Sequence, residues 1–186
     1  MSLPTREEAV ALLEKYNDNE SLRRHGLAVE AVMRHFAAKL GEDPEYWGLV
    51  GLLHDVDYGQ WPEEHLKVAP RLLAEAGFDG DFTRAVCAHG WGVCSDVRPE
   101  KTMEIVLFTI DELTGLITAA AYMRPSHSVM DLEVSSLKKK FKDKRFAAGV
   151  DRDVILSGCE MLGMTIEDVM QETILGMREA HEALGL

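Results

Sequence analysis

Apolar residues recur every three or four positions along most of the chain, and this spacing constrains the fold more than any other feature. Leu22, Val29 and Phe36 form one such stripe, and Met103 and Leu107 begin another. Residues three and four positions apart lie on the same face of an α-helix, so both stripes predict helices with one buried side. No segment shows the convincing alternation of apolar and polar residues that is typical of a half-buried strand. The pattern therefore predicts an all-α protein.

Helix start and stop signals divide the chain further. Thr5 with Glu8 predicts a capping box, Asp43 precedes a proline at a first helical position, and Gly41 lies where a helix should end. These signals predict about nine helices, near residues 5–15, 20–40, 44–56, 64–76, 80–90, 100–122, 128–144, 151–162 and 166–184. Because the chain has 186 residues and only short joints, we expect one compact domain over 1–186.

Charge and composition limit the partners. Twenty Lys and Arg against thirty-two Asp and Glu give a net charge of −12, which disfavours binding to a nucleic-acid polymer or an anionic membrane. Uncharged stretches such as 115–123 are much shorter than a membrane span, and residues 1–8 lack signal-peptide features. Cys87, Cys94 and Cys159 are odd in number and predict reduced thiols. We expect a cytoplasmic protein, and its oligomeric state stays open.

Four residues place metal-binding side chains where apolar ones are expected. His25 follows Leu22 by three positions on an apolar face, Asp111 lies on the apolar face of another helix, and the pair His54 and Asp55 ends a third. A buried carboxylate needs a cation, a metal or a raised pKa. One shared metal would satisfy all four residues, and imidazole with carboxylate suits manganese, iron, cobalt, nickel or zinc. From the residues alone, there is an alternative to a metal site. His54 and Asp55 could simply end a helix, and His25 could be a core histidine held by a hydrogen bond.

The order of these four residues resembles the HD superfamily of metal-dependent phosphohydrolases. Residues 52–59 (LLHDVDYG) and 109–113 (TIDEL) are similar to its second and last motifs, and the resemblance covers about residues 20–125. It implies an all-α HD-type fold, with about 126–186 as an additional helical extension. It also implies one metal held by the four residues, with Asp55 and Asp111 as the catalytic carboxylates.

Two further histidines fit the dinuclear members of this superfamily. These members add one histidine shortly after the HD pair and another before the final aspartate, and His65 and His89 occupy those places. The resemblance then implies a second metal bound by these two histidines, with Asp55 bridging the pair of metals. The alternatives are that His65 is a solvated residue in a first helical turn and that His89 only packs.

The resemblance implies hydrolysis of a phosphate ester, in a nucleotide or a small phosphorylated metabolite, by water that one or two metals activate. A di-iron oxygenase and a non-enzymatic nucleotide-binding sensor are the alternatives. Four basic residues are candidates for contacting the phosphate, namely Arg124, Lys138, Lys142 and Arg145. The alternative for Lys138, Lys142 and Arg145 is that they lie on a solvated helix face. Arg24, next to His25, is predicted to be a surface charge.

Overall fold

The computed structural model of the protein describes residues 3–186, and this part of the chain contains helices but no β-strand. Ten α-helices, α1 to α10, span Arg6–Tyr16, Glu20–Leu40, Pro44–Leu53, Ala69–Glu75, Gly80–Ala88, Thr102–Tyr122, Val134–Lys142, Arg152–Leu162, Ile166–Glu179 and His181–Leu184, and Pro62–Glu64 forms one 3₁₀ turn. The prediction of an all-α protein is therefore confirmed. Nine of the helices in residues 3–186 have seven or more residues, which agrees with the predicted number.

The sequence signals for helix ends act as predicted. The Thr5 hydroxyl accepts a hydrogen bond from the Glu8 N–H at 3.2 Å, while the Glu8 carboxylate accepts one from the Thr5 N–H at 2.7 Å. The Asp43 carboxylate caps α3 by accepting from the Glu45 N–H at 2.9 Å. Gly41 ends α2 with φ of +74°, a conformation that glycine adopts without strain.

Two predicted helices begin later than their sequence suggests. The helix predicted at 64–76 begins only at Ala69, because Leu66 has φ of +63° and its N–H bonds to Asp57 rather than to a helical carbonyl. The helix predicted at 128–144 begins at Val134. Residues 128–133 form turns instead: the Met130 N–H bonds to the Ser128 hydroxyl at 3.1 Å, and the Leu132 N–H bonds to the Val129 carbonyl at 3.2 Å.

The core forms around the two longest helices, α2 and α6. Helix α2 packs against α3, α6 and α9, and α8 packs along α6. Helices α2 and α3 approach closely because Gly51 has no side chain: a Cβ atom there would lie 2.9 Å from the Val29 carbonyl oxygen. The end of α3, where His54 lies, is thereby next to the first half of α2, which contains His25.

Helix α6 is long and apolar enough to cross a membrane by length and composition alone. Most of it is buried inside the protein, and Leu107, Ile110 and Leu113 lie fully in the core. A core helix that is covered on nearly all sides has the same apolar composition. Asp111 interrupts this apolar helix at its middle.

Candidate metal centre

Six side chains from five parts of the chain converge at one end of the core. Helix α2 supplies one histidine from its second turn, and α6 supplies one aspartate from its middle. The other four residues follow α3, the 3₁₀ turn and α5. These residues are His25, His54, Asp55, His65, His89 and Asp111. All six predicted ligands therefore lie in one cluster, and overlapping sets of three have donor atoms within 4.8 Å of one another.

The first part of the cluster contains four donor atoms. His25 Nε2 lies 2.8 Å from Asp111 Oδ1, and His54 Nε2 lies 3.2 Å from the same oxygen. The Nε2 atoms of the two histidines are 3.2 Å apart, and Asp55 Oδ2 lies 3.3 Å from His54 Nε2. These atoms surround one point, as the ligands of a single ion would.

The second part of the cluster uses the other oxygen of Asp55. Asp55 Oδ1 lies 3.3 Å from His65 Nε2 and 3.4 Å from His89 Nε2, and these two nitrogens are 3.3 Å apart. Each oxygen of one carboxylate thus faces a different set of imidazoles. This is the arrangement that a carboxylate bridging two ions requires.

The other ring nitrogens of three histidines show that the site suits metal ions. His54 Nδ1 donates to the Gly51 carbonyl and His89 Nδ1 donates to the Val86 carbonyl, both at 2.6 Å. His65 Nδ1 donates to the Asp57 carboxylate at 2.8 Å. Because carbonyl and carboxylate oxygens only accept, each neutral ring carries its proton on Nδ1 and turns the lone pair of Nε2 into the cluster. Facing lone pairs repel one another unless a cation lies between them, so the donor set fits transition-metal ions.

Burial and charge reinforce this arrangement. The side chain of His54 is 0% exposed, whereas that of His25 is 24% exposed and those of Asp55 and Asp111 are 18% exposed. Burial alone would lower the pKa of His54, but the charges of Asp55 and Asp111 outweigh it and raise that pKa well above its usual value. The two carboxylates thus favour positive charge at His54 Nε2, and a metal ion that binds there takes the place of a proton. Despite the opposing effect of burial, His54 holds the pKa of both carboxyl groups below their usual range, so they stay ionised as anionic ligands.

Asp57 is a buried residue of the site that the sequence did not single out. Its side chain is 0% exposed, and its Oδ1 accepts from His65. Its Oδ2 accepts from the backbone N–H groups of Leu66 and Ala69 at 2.9 and 2.8 Å. Asp57 therefore fixes both the ring of His65 and the backbone that carries it, as outer partners of metal ligands commonly do.

Asn17 holds the segment that follows the HD pair. It is 0% exposed, and its amide donates to the carbonyls of Leu13 and Val56 at 3.1 and 3.0 Å. Its Oδ1 accepts from the Gly59 N–H at 3.1 Å. The turn that contains Asp55 is thereby attached to the end of α1.

Replacing Asn17 with alanine should lower the free energy of unfolding by about 2–3 kcal/mol, because it leaves buried backbone groups without a partner. For a chain of this size, that loss corresponds to a decrease in Tm of roughly 4–12 °C. Gln60→Ala is the matched control, since the exposed Gln60 amide on the same segment donates to the Lys15 carbonyl at 3.3 Å. Thermal unfolding followed by circular dichroism measures both variants, and equal Tm values for the two would contradict the assignment.

Three of the four basic residues predicted to contact phosphate pair with acidic side chains, and the fourth, Lys142, is exposed. Arg124 forms two hydrogen bonds with Asp131, at 2.8 and 3.2 Å, and Lys138 pairs with Glu167. Arg145 is 96% exposed on its side chain. None of the four lines the cavity that borders His25. A contact between these residues and the substrate stays a prediction.

Arg24 does line that cavity, together with Ser21 and Tyr122. Its side chain is 46% exposed, so the prediction of a surface charge is confirmed. A residue that points away from its neighbour on one helix can still border the same cavity when a second helix closes the other side. The position of Arg24 at the cavity follows from the packing of α2 against α6, which the sequence of α2 alone does not show.

Comparison with known proteins supports the resemblance that the motifs imply. A family model described as the HD domain matches residues 22–116, a range that contains all six clustered side chains. This domain usually binds divalent metals and suggests a metal-dependent hydrolase type of function. No curated protein and no solved structure matches the chain. The match to the HD domain covers half of the sequence, and the chain belongs to the HD domain family.

Proposed function

We propose that the protein is a metal-dependent phosphohydrolase of the cytoplasm that cleaves the phosphate ester of a small metabolite or nucleotide. One observation carries the proposal: the two oxygens of Asp55 face two separate sets of imidazole nitrogens. Ions that share one carboxylate lie about 3.5–4 Å apart in two-metal enzymes that hydrolyse phosphate esters. The Nε2 lone pairs turned into the cluster supply the remaining ligands.

Each side chain has a distinct part in this proposal. His25, His54 and Asp111 would hold one ion, His65 and His89 the other, and Asp55 both. When bound, the ions supply Lewis-acid activation of water and of the phosphoryl oxygens. The most exposed ligand is His25, so the phosphate would enter on its side while the fully buried His54 closes the opposite side.

The local charge also favours this chemistry. The chain carries a net charge of −12, and a phosphate ester is itself an anion, so general attraction between them is absent. Divalent ions held by the cluster would supply the positive charge that attracts the phosphoryl group. Asp55 and Asp111, whose pKa values are lowered, keep the negative charge that retains these ions.

The number of bound metals tests the dinuclear arrangement directly. Protein purified without chelator or nickel resin should contain nearly two metal ions per chain, and the double variant His65→Ala/His89→Ala should contain about one. Elemental mass spectrometry measures both. The matched control is His127→Ala/His181→Ala, which removes two histidines that lie outside the cluster and should leave the metal content unchanged. If both double variants contain about one metal ion per chain, the centre is mononuclear.

Turnover tests the reaction itself. The metal-loaded protein should release inorganic phosphate from phosphate monoesters with manganese as well as iron, equally in air and without oxygen. A requirement for oxygen and redox-active iron would contradict hydrolysis and support the oxygenase alternative. Full metal loading with no release of phosphate from any monoester would support the sensor alternative.

A further inference from the structure

A cavity of about 580 Å³ borders the metal centre and is large enough for a small organic molecule. It lies between the first half of α2, the second half of α6 and the segment that includes α10. Apolar side chains and small residues form most of its wall, including Leu22, Ala28, Ala119, Leu184 and Leu186.

The cavity extends away from the metal centre along α6. Asp111, Gly115 and Tyr122 lie on one face of this helix, at spacings of four and seven residues. At 1.5 Å per residue, the distance from Asp111 to Tyr122 is about 16 Å. His25 lies at the same end as Asp111, since their side chains are 2.8 Å apart. A phosphate at the metals would therefore have room for its organic part beside it.

The wall of the cavity offers little that could bind a second phosphate. Among its lining residues, Arg24 is the cation. Arg24 Nη2 already donates to Glu20 at 2.6 Å, and Tyr122 lies beside the same guanidinium. Glu20 adds negative charge at this end. A ligand with phosphates outside the metal centre would meet no Lys and no second Arg among the residues that line the cavity, and the carboxylate of Glu20 would lie beside the one guanidinium.

We propose that this cavity binds the organic part of a phosphate monoester, and that this part is uncharged, mainly apolar and about the size of a nucleoside. The inference rests on the proposed function, because it takes the metal centre as the place of the phosphate. It selects monoesters over nucleoside triphosphates and other polyphosphates. Leu184 and Leu186 lie outside residues 22–116, so this selectivity belongs to the chain rather than to the matched family segment.

Gly115 allows a test that leaves the metal ligands intact. A Cβ atom at Gly115 would meet no atom within 4 Å, and the residue lies inside α6 on the wall of the cavity. Gly115→Leu should therefore fill part of the cavity, and it also replaces a poor helix former with a good one. Gly115→Ala is a milder variant. Gly80→Leu is the matched control, since Gly80 also lies in a helix with open space around it but does not line the cavity.

The probes are phenyl phosphate and 1-naphthyl phosphate, which have leaving groups of similar acidity and differ in apolar size. The metal-loaded protein should have about tenfold higher kcat/KM for the naphthyl ester because the second ring is buried. Gly115→Leu should lower kcat/KM for the naphthyl ester by at least about tenfold and for the phenyl ester by less than about threefold. Gly115→Ala should show the same order with smaller changes, and Gly80→Leu should change neither.

A second comparison tests the charge of the substrate. A nucleoside monophosphate should be hydrolysed at least about tenfold more efficiently than the matching triphosphate, since the additional charged groups would meet a single guanidinium, Arg24, that is already paired with Glu20. Equal losses for both aryl esters in Gly115→Leu, or a preference for the triphosphate, would overturn the inference.

Binding without turnover separates this inference from the proposed function. The fluorescence of 1-naphthylmethylphosphonate, which has no ester bond to hydrolyse, reports its binding to the metal-loaded protein. Binding should weaken at least about tenfold in Gly115→Leu but not in Gly80→Leu. If no phosphate ester is hydrolysed and this difference persists, the hydrolase function is wrong while the cavity assignment is supported. Equal binding by the wild-type protein and Gly115→Leu would overturn the cavity assignment.

Discussion

Replacing Asp55 with asparagine should reduce the release of phosphate at least about a thousandfold, which corresponds to about 4 kcal/mol of transition-state stabilisation. Asp55 is the side chain that contacts both sets of imidazoles, through Oδ2 on one side and Oδ1 on the other. The amide has no negative charge and offers one oxygen where the carboxylate offers two. Both ions should therefore be lost or weakly held, and elemental mass spectrometry should show this loss beside the kinetic one.

Asp96→Asn is the matched control for this variant, because it removes the charge of an exposed aspartate that is outside the cluster. It should keep both the metal content and the turnover. Circular dichroism should show the same helical content in the two variants. If Asp55→Asn retains two metals and full turnover, Asp55 is not a bridging ligand.

The variant Asp57→Asn should be folded yet poor in the second metal. One oxygen of Asp57 accepts two backbone N–H groups, and the amide oxygen of asparagine can still do so. The amide nitrogen would then take the place of the oxygen that accepts from His65 Nδ1. Because an amide N–H donates, it favours the His65 tautomer with the proton on Nε2, which removes the lone pair from the cluster. We expect a loss of about 10–100-fold in affinity for the second metal.

Asp57→Ala provides the contrast, because it removes the acceptor for Leu66 and Ala69 as well. It should lower the free energy of unfolding by about 2–4 kcal/mol, since two buried N–H groups lose their partner. Asp57→Asn should lose much less stability but a similar amount of metal affinity. Metal titration and thermal unfolding of both variants measure the two effects, and unchanged metal affinity in Asp57→Asn would contradict the orienting role of Asp57.

The sequence singled out two of the clustered residues because each interrupts a regular local pattern, whereas His65 and His89 followed only from the resemblance to the HD superfamily. His25 and Asp111 lie on faces that otherwise contain apolar residues, and such interruptions are visible without knowledge of tertiary structure. The helix caps were predictable for a similar reason, as the Thr5 and Glu8 pair needs only four consecutive residues. The extent of a single domain over 1–186 stays a prediction.

The supporting residues were not predictable in this way. Asp57 and Asn17 look like ordinary polar residues in a turn and at a helix end. Their importance comes from contacts with residues distant in the chain, such as the 42 positions between Asn17 and Gly59. The late start of α4 has the same origin, because the carboxylate of Asp57 takes the N–H of Ala69. A local pattern contains no information about such partners.

The spread of the ligands along the chain also affects folding. His25 and Asp111 are 86 positions apart, and this set of donors comes together only in the folded protein. An ion that binds the folded chain alone shifts the folding equilibrium by RT ln(1 + [L]/Kd), about 2.7 kcal/mol when its free concentration is 100 times Kd. The ions would then act as a reversible cross-link between distant segments. The supply of metal in the cell would set how much of the chain persists in folded form, in addition to how fast that chain works.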